Sequence, residues 1–278
     1  MSITTSPWAG ACDCHMHVYE DAYPLAPTAT FKPPHAPASA YRAVQRELGL
    51  KRTVVIQPTG YGVDNRCTLA ALAALGPEAR AIVVVPPDLP AAQLQALDGA
   101  GVRGVRYMML PGGVLPWSGL EQGAAAIAPL GWHIDLQLDG RELPQREAML
   151  RRLPCRLVID HVGRFMGAVD PDSDAVKSLC RLLDGGECWI KISAPYESSR
   201  VGAPGYEDIA GIARLVAQRY PERCLWASNW PHPNQVPAPS SAAMLDWSMR
   251  SIADSAAQRK ALVDNPAELY GFAPAAAT

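Results

Sequence analysis

Short apolar, β-branched runs recur along the chain, and a longer stretch of helical pattern follows each one. The runs cover residues 11–17, 53–59, 79–86, 101–109, 133–138, 156–162, 188–193 and 224–230. Between them lie helical patterns at 39–48, 64–75, 91–97, 118–128, 146–153, 174–183, 206–219 and 242–252. A last helix, at 256–263, runs into Asn265-Pro266. Strand alternating with helix implies parallel strands joined by helical crossovers. Eight such units in 278 residues match an α/β fold of the (β/α)8 TIM barrel type, which takes roughly 250 residues. The expectation is a single domain over residues 1–278. An open doubly wound sheet would want a GxGxxG turn after the first strand; Tyr19-Glu20-Asp21 stands there instead.

The function classes left open are those of a folded, enzyme-sized domain. A formal charge of -2 gives no basic surplus for nucleic acid. No apolar stretch approaches the roughly 20 residues that span a bilayer, and the N-terminus lacks the pattern of a signal peptide. Seven cysteines, odd in number and scattered, read as free thiols of a reducing, cytoplasmic compartment. Four long loops, at 19–35, 164–173, 194–205 and 230–240, leave C-terminal strand ends, the face that carries active sites in barrels. The C-terminal stretch 273–278 is expected to fray.

Six histidines are distributed unevenly. His15 and His17 close the first strand, and their i, i+2 spacing turns them to one side. His161 closes the sixth strand, His232 follows the eighth, and Asn229 ends the eighth. One His-x-His alone is equally a pair of core histidines. Strand-end histidines and a carboxamide converging on one barrel mouth read as a site.

The segments Cys-Asp-Cys-His-Met-His-Val (12–18), Ile159-Asp160-His161-Val162-Gly163-Arg164 and Ala227-Ser228-Asn229-Trp230-Pro231-His232-Pro233-Asn234 resemble signatures of the amidohydrolase superfamily. The subgroup resembled is that of the 2-pyrone-4,6-dicarboxylate lactonases. Within it the D-galactarolactone isomerases match best, through Met16-His17-Val18-Tyr19, Leu110-Pro111-Gly112-Gly113 and Tyr196-Glu197-Ser198-Ser199-Arg200. The resemblance implies catalytic roles for His15, His17, His161 and Asn229, and a small lactone carboxylate as substrate.

Most of the superfamily carries Asp where this chain has Asn229. An amide cannot take a proton from water near pH 7 and is a poor ligand for a transition-metal dication. Either the residue is an Asp→Asn change, or the enzyme needs no hydrolytic water. The isomerases resembled here move a lactone between two hydroxyls of one sugar diacid, so the substrate supplies its own nucleophile and positioning does much of the work. Isomerisation is the first expectation and lactone hydrolysis the second. Either passes through a tetrahedral oxyanion, with a histidine as base. No metal is expected. The rival is one zinc ion on His15, His17 and His161; the fourth and fifth strands supply neither the Lys nor the His of metal-dependent relatives.

The resemblance makes Arg106 a grip on the substrate carboxylate; the alternative is an internal ion pair with Asp135 or Asp160. Arg200 and Arg164 are further carboxylate candidates, or surface arginines. Gln57, Thr59, Tyr19, Tyr196 and His232 are candidates for substrate hydroxyls, with packing or turn roles as alternatives. Lys191 reads as an internal ion-pair partner of Asp160 rather than a catalytic amine. A different class of reading is a non-catalytic binding protein on a decayed barrel, with Asn229 as its scar. The oligomeric state is not legible.

Overall fold

The structure, a computed structural model, describes residues 5–167 and 169–273; the stretch expected to fray lies, from residue 274 on, outside them. Eight parallel strands form one sheet in sequence order: β1 Cys12–Met16, β2 Arg52–Ile56, β3 Ala79–Val83, β4 Val102–Met108, β5 His133–Gln137, β6 Arg156–Ile159, β7 Cys188–Ile192 and β8 Cys224–Trp226. Crossover helices α1 Ala38–Leu48, α2 Arg66–Leu75, α3 Ala91–Ala100, α4 Leu120–Ile127, α5 Leu143–Leu150, α6 Asp174–Asp184, α7 Glu207–Arg219 and α8 Ser241–Ile252 follow them. This is the expected (β/α)8 barrel. No helix among the described residues is long and apolar enough to cross a membrane.

One correction concerns the C-terminal end. The helix read at 256–263 does not stop before Asn265-Pro266. It runs from α9 Ser255–Arg259 through a π-turn at Lys260–Asp264 into α10 Asn265–Tyr270. Pro266 falls where the π-turn passes into α10. The chain after it closes the barrel floor: Leu269, Tyr270 and Phe272 pack with Val54, Ile82, Val158, Trp189 and Leu225 in a cluster separate from the larger core between strands and helices.

The seam between the first and last strands sets the site. β1 and β8 share no extended ladder; they meet through the Met16–Trp230 bridge, the His17 N–H donating to Trp230 O at 2.8 Å, and the Asn229 N–H donating to His15 O at 2.8 Å. The side chain of Asp13 reinforces this seam. It accepts from the backbone of His15 (3.1 Å) and Ser228 (2.9 Å), from the Ser228 hydroxyl (2.5 Å) and from Tyr41 (2.8 Å). The register of β1 against β2 shifts between Asp13 and Met16. Cys12 and Cys14 belong to the interior cluster and Met16 to the outer core. The bulge thus changes the parity of the strand and brings His15 and His17 inward.

Gly104 on β4 faces His133 across the ladder. A Cβ there would lie 2.6 Å from His133 O and 3.0 Å from the Ile82 side chain, so only glycine lets β4 and β5 approach this closely.

Candidate active site

A cavity of about 300 Å³ opens at the C-terminal end of the strands. Of the residues expected there, His17, His161, Asn229, Arg106, Thr59, Arg164 and Tyr19 line it; His15, Gln57, Tyr196, His232 and Arg200 do not.

The hydrogen-bond partner of His17 Nδ1 assigns that ring's tautomer. His17 Nδ1 lies 2.9 Å from Ile56 O. A carbonyl only accepts, so Nδ1 carries the proton and Nε2 the lone pair. That nitrogen meets His15 Nε2 at 3.1 Å. His15 Nδ1 lies 3.0 Å from Lys191 Nζ and 3.2 Å from Asp160 Oδ1, between the ammonium and the carboxylate. Both rings are neutral: burial, then the Lys191 charge, hold His15 well below its ordinary value. Burial and Arg106 bring His17 down to about 3. His15 is fully buried behind His17 and has no face on the cavity. The reading of His15 as a group that meets substrate is corrected accordingly.

Lys191 anchors this chain. Its Nζ lies 2.6 Å from Asp135 and 3.0 Å from Asp160, all fully buried. Burial would raise the Asp160 carboxyl, but Lys191 and then His15 hold it well below the usual carboxylate range. Burial and the charge of Asp160 push Asp135 up to about 7. Arg106 reaches Asp160 at 3.5 Å and donates to Gln57 O (2.9 Å) and Gln137 Oε1 (2.8 Å). Both alternatives read for Arg106 therefore coexist: it pairs with Asp160 and also lines the cavity, where its Nε is buried without a partner.

His15, Asp160 and His161 bring ligand atoms within 4.8 Å of one another. They do not fit a dication. His15 Nδ1 already faces both the Lys191 ammonium and Asp160, and Asp160 is shared by Lys191 and Arg106. An ion on these donors would sit against a buried cation 3.0 Å from both His15 and Asp160.

His161 lies just beyond β6 rather than on it, in a turn where His161, Val162, Gly163 and Arg164 all have positive φ (51°, 55°, 83° and 39°). Val162, β-branched, is costly in this region; the turn aims the imidazole into the mouth. Its Nδ1 bonds the Ser193 hydroxyl at 2.9 Å, which leaves Nε2 at the cavity. Burial lowers His161 to about 3, so the ring is neutral.

Asn229 also has positive φ (58°), which Asn tolerates. Its Nδ2 donates to the Tyr196 hydroxyl at 3.0 Å. Tyr196 meets His232 Nδ1 at 2.9 Å, and His232 Nε2 meets the Ser241 hydroxyl at 3.0 Å. Tyr196 and His232 thus stand behind Asn229 and fix its amide; the expectation that they face substrate is corrected. Asn229 Oδ1 is buried and has no partner.

Two more expectations are corrected. The Gln57 amide donates to Gly62 O and Asp64 O, and its oxygen accepts from Thr68, so it shapes the loop after β2. Arg200 is exposed and reaches Met166 O at 3.4 Å. Arg164 lines the cavity but is engaged by Glu197 at 2.7 Å. Sequence reasoning missed Glu197 and Gln137, both cavity-lining. Gln137 was reachable by parity: Asp135 and Gln137 share a face of β5 and stand opposite Arg106 and Met108. Glu197 falls inside a quoted motif, but nothing in that motif separates it from a surface carboxylate.

The comparisons agree with this geometry. A family model described as amidohydrolase matches residues 12–272. The chain is 34% identical to a D-galactarolactone isomerase of Agrobacterium fabrum, over 97% of this chain and 94% of that protein. It is likewise 34% identical to a 2-pyrone-4,6-dicarboxylate hydrolase of Comamonas testosteroni, over 94% of this chain and 90% of that one. Among solved structures, an apo protein of Agrobacterium tumefaciens superposes with a TM-score of 0.90 at 33% identity, covering 95% of this chain and 97% of that one. The chain is an enzyme of the amidohydrolase family, in the branch that holds the D-galactarolactone isomerases and 2-pyrone-4,6-dicarboxylate hydrolases.

Proposed function

We propose that this enzyme is a lactone isomerase that moves the acyl group of a sugar-diacid lactone, of the D-galactarolactone type, from one hydroxyl of the substrate to another, without a metal. The observation that carries the reading is Asn229. A carboxamide stands at the end of the eighth strand, its NH2 fixed by Tyr196 and its oxygen buried without a partner. Such a group accepts a hydrogen bond from a substrate hydroxyl but cannot activate water. Arg106, which lines the cavity and keeps a buried, unpartnered Nε, suits the free carboxylate. His161, neutral and with Nε2 unoccupied, suits the carbonyl oxygen, where charge develops in the tetrahedral intermediate. The buried cations Lys191 and Arg106 supply positive potential that a metal would otherwise bring.

Ring opening to the diacid is the second reading, favoured by the equal identity to the hydrolase relative. Incubation with galactaro-lactones, followed by NMR, separates the two: conversion of one ring form into another supports isomerisation, and accumulation of open diacid supports hydrolysis. The cysteines among the described residues are all unpaired, which supports a reducing, cytoplasmic setting.

A further inference from the structure

We infer that Glu197 is the proton-transfer group of the reaction, taking the proton of the attacking substrate hydroxyl and returning it to the departing ring oxygen. The inference rests on the lactone reading above and adds the base that Asn229 cannot be. Glu197 is the one carboxylate among the described residues that line the cavity. It sits in the turn Pro195–Glu197 after β7, with its side chain 14% exposed. Oε2 is held by Arg164 at 2.7 Å, which orients the group.

The rival bases are engaged or weak. Both nitrogens of His17 are hydrogen-bonded, and burial makes His161 a poor proton acceptor. Burial makes Glu197 more basic than an ordinary carboxylate. The charges of Arg164 and Arg106 oppose that rise, Asp160 adds to it, and Tyr19 and Tyr196 also face the group.

The steps balance within the substrate. The hydroxyl proton passes to Oε1 as the hydroxyl oxygen bonds to the lactone carbonyl carbon. The tetrahedral oxyanion collapses, the old ring C–O bond breaks, and that oxygen takes the proton from Glu197. No water, electron carrier or second substrate is consumed. Attacking and leaving oxygens belong to one small molecule held at one carbonyl, so a single carboxylate can serve both.

The test is Glu197→Gln beside Arg164→Gln, each checked for folding by circular dichroism and for retained binding of galactarate by calorimetry. Glu197→Gln is expected to lower kcat at least ~100-fold with KM within about threefold, and to abolish the acid limb of the kcat–pH profile. Arg164→Gln is expected to cost markedly less in kcat. A Glu197→Gln protein with near-normal kcat, with the loss carried in KM, or with a loss matched by Arg164→Gln makes Glu197 a recognition or structural partner and overturns the inference. If the wild type opens lactones instead of moving them, the isomerase reading fails, and Glu197 is judged by the same kcat comparison on ring opening. No turnover of either kind by the wild type overturns both.

Discussion

His15 Nε2 lies 3.1 Å from His17 Nε2, and His17 Nδ1 lies 2.9 Å from Ile56 O. The His-x-His pair is therefore a hydrogen-bonded chain that ends at Lys191, not two free imidazoles. It positions the His17 ring at the cavity and ties that ring to the buried charges.

Lys191 is the keystone of that chain. Replacing it with methionine leaves Asp135 and Asp160 without their ammonium and His15 without its donor. Breaking a buried pair from one side costs about 3–5 kcal/mol. Lys191→Met is expected to lose stability of that order in urea unfolding. A loss below ~1 kcal/mol contradicts the reading of Lys191 as the anchor.

The buried histidines give stability a direction with pH. Burial brings His17, His133 and His161 to about 3 and His232 to about 4, and lowers His15 well below its ordinary value. The unfolded chain thus binds more protons than the folded one between those values and the ordinary 6.5. Stability from this source is complete above pH 6.5 and is lost as pH falls below it, by at most ~1.4 kcal/mol per pH unit for each histidine. Asp13, Asp135 and Glu197, raised by burial, oppose this above their ordinary values, but five groups outweigh three. Chemical denaturation at pH 5 and pH 7 should show the protein less stable at pH 5; equal or reversed stabilities refute the assignment.

How far the sequence anticipated the site depends on what each residue's neighbours do. The eight strands and the cavity end were legible because periodicity and strand-end placement are local signals. Lys191 was read correctly as a partner of Asp160, since an ammonium inside a barrel strand needs an anion. The placement of His15 was not legible: simple alternation gives it the direction of His17, yet a bulge sets the parity and depth puts it behind its neighbour. Tyr196 and His232 were read as facing substrate because their loops lead to the mouth. Only the hydrogen bonds to Asn229 and Ser241 show them turned away. Glu197 needed tertiary structure, because burial beside Arg164 is what distinguishes it from other loop carboxylates.

His161→Ala removes the imidazole whose Nε2 faces the cavity. Loss of one such donor typically costs about 10²–10³ in kcat. The proposed role predicts a fall in that range with thermal stability largely retained. An unchanged kcat rules out His161 as the oxyanion contact.

Asn229→Asp places a carboxylate where the amide contacts Tyr196. Such a group can activate water, so ring opening should rise and ring migration fall in NMR assays of the variant. A variant that isomerises as well as the wild type and hydrolyses no faster shows that Asn229 does not decide between the reactions.

The claim that the substrate's own hydroxyl attacks the carbonyl is tested most directly in water enriched in heavy oxygen. The account predicts that the rearranged lactone, recovered after many turnovers and weighed by mass spectrometry, carries no label in its acyl group. Heavy oxygen in the acyl group, accumulating with turnover, would show that water is the nucleophile and would contradict it.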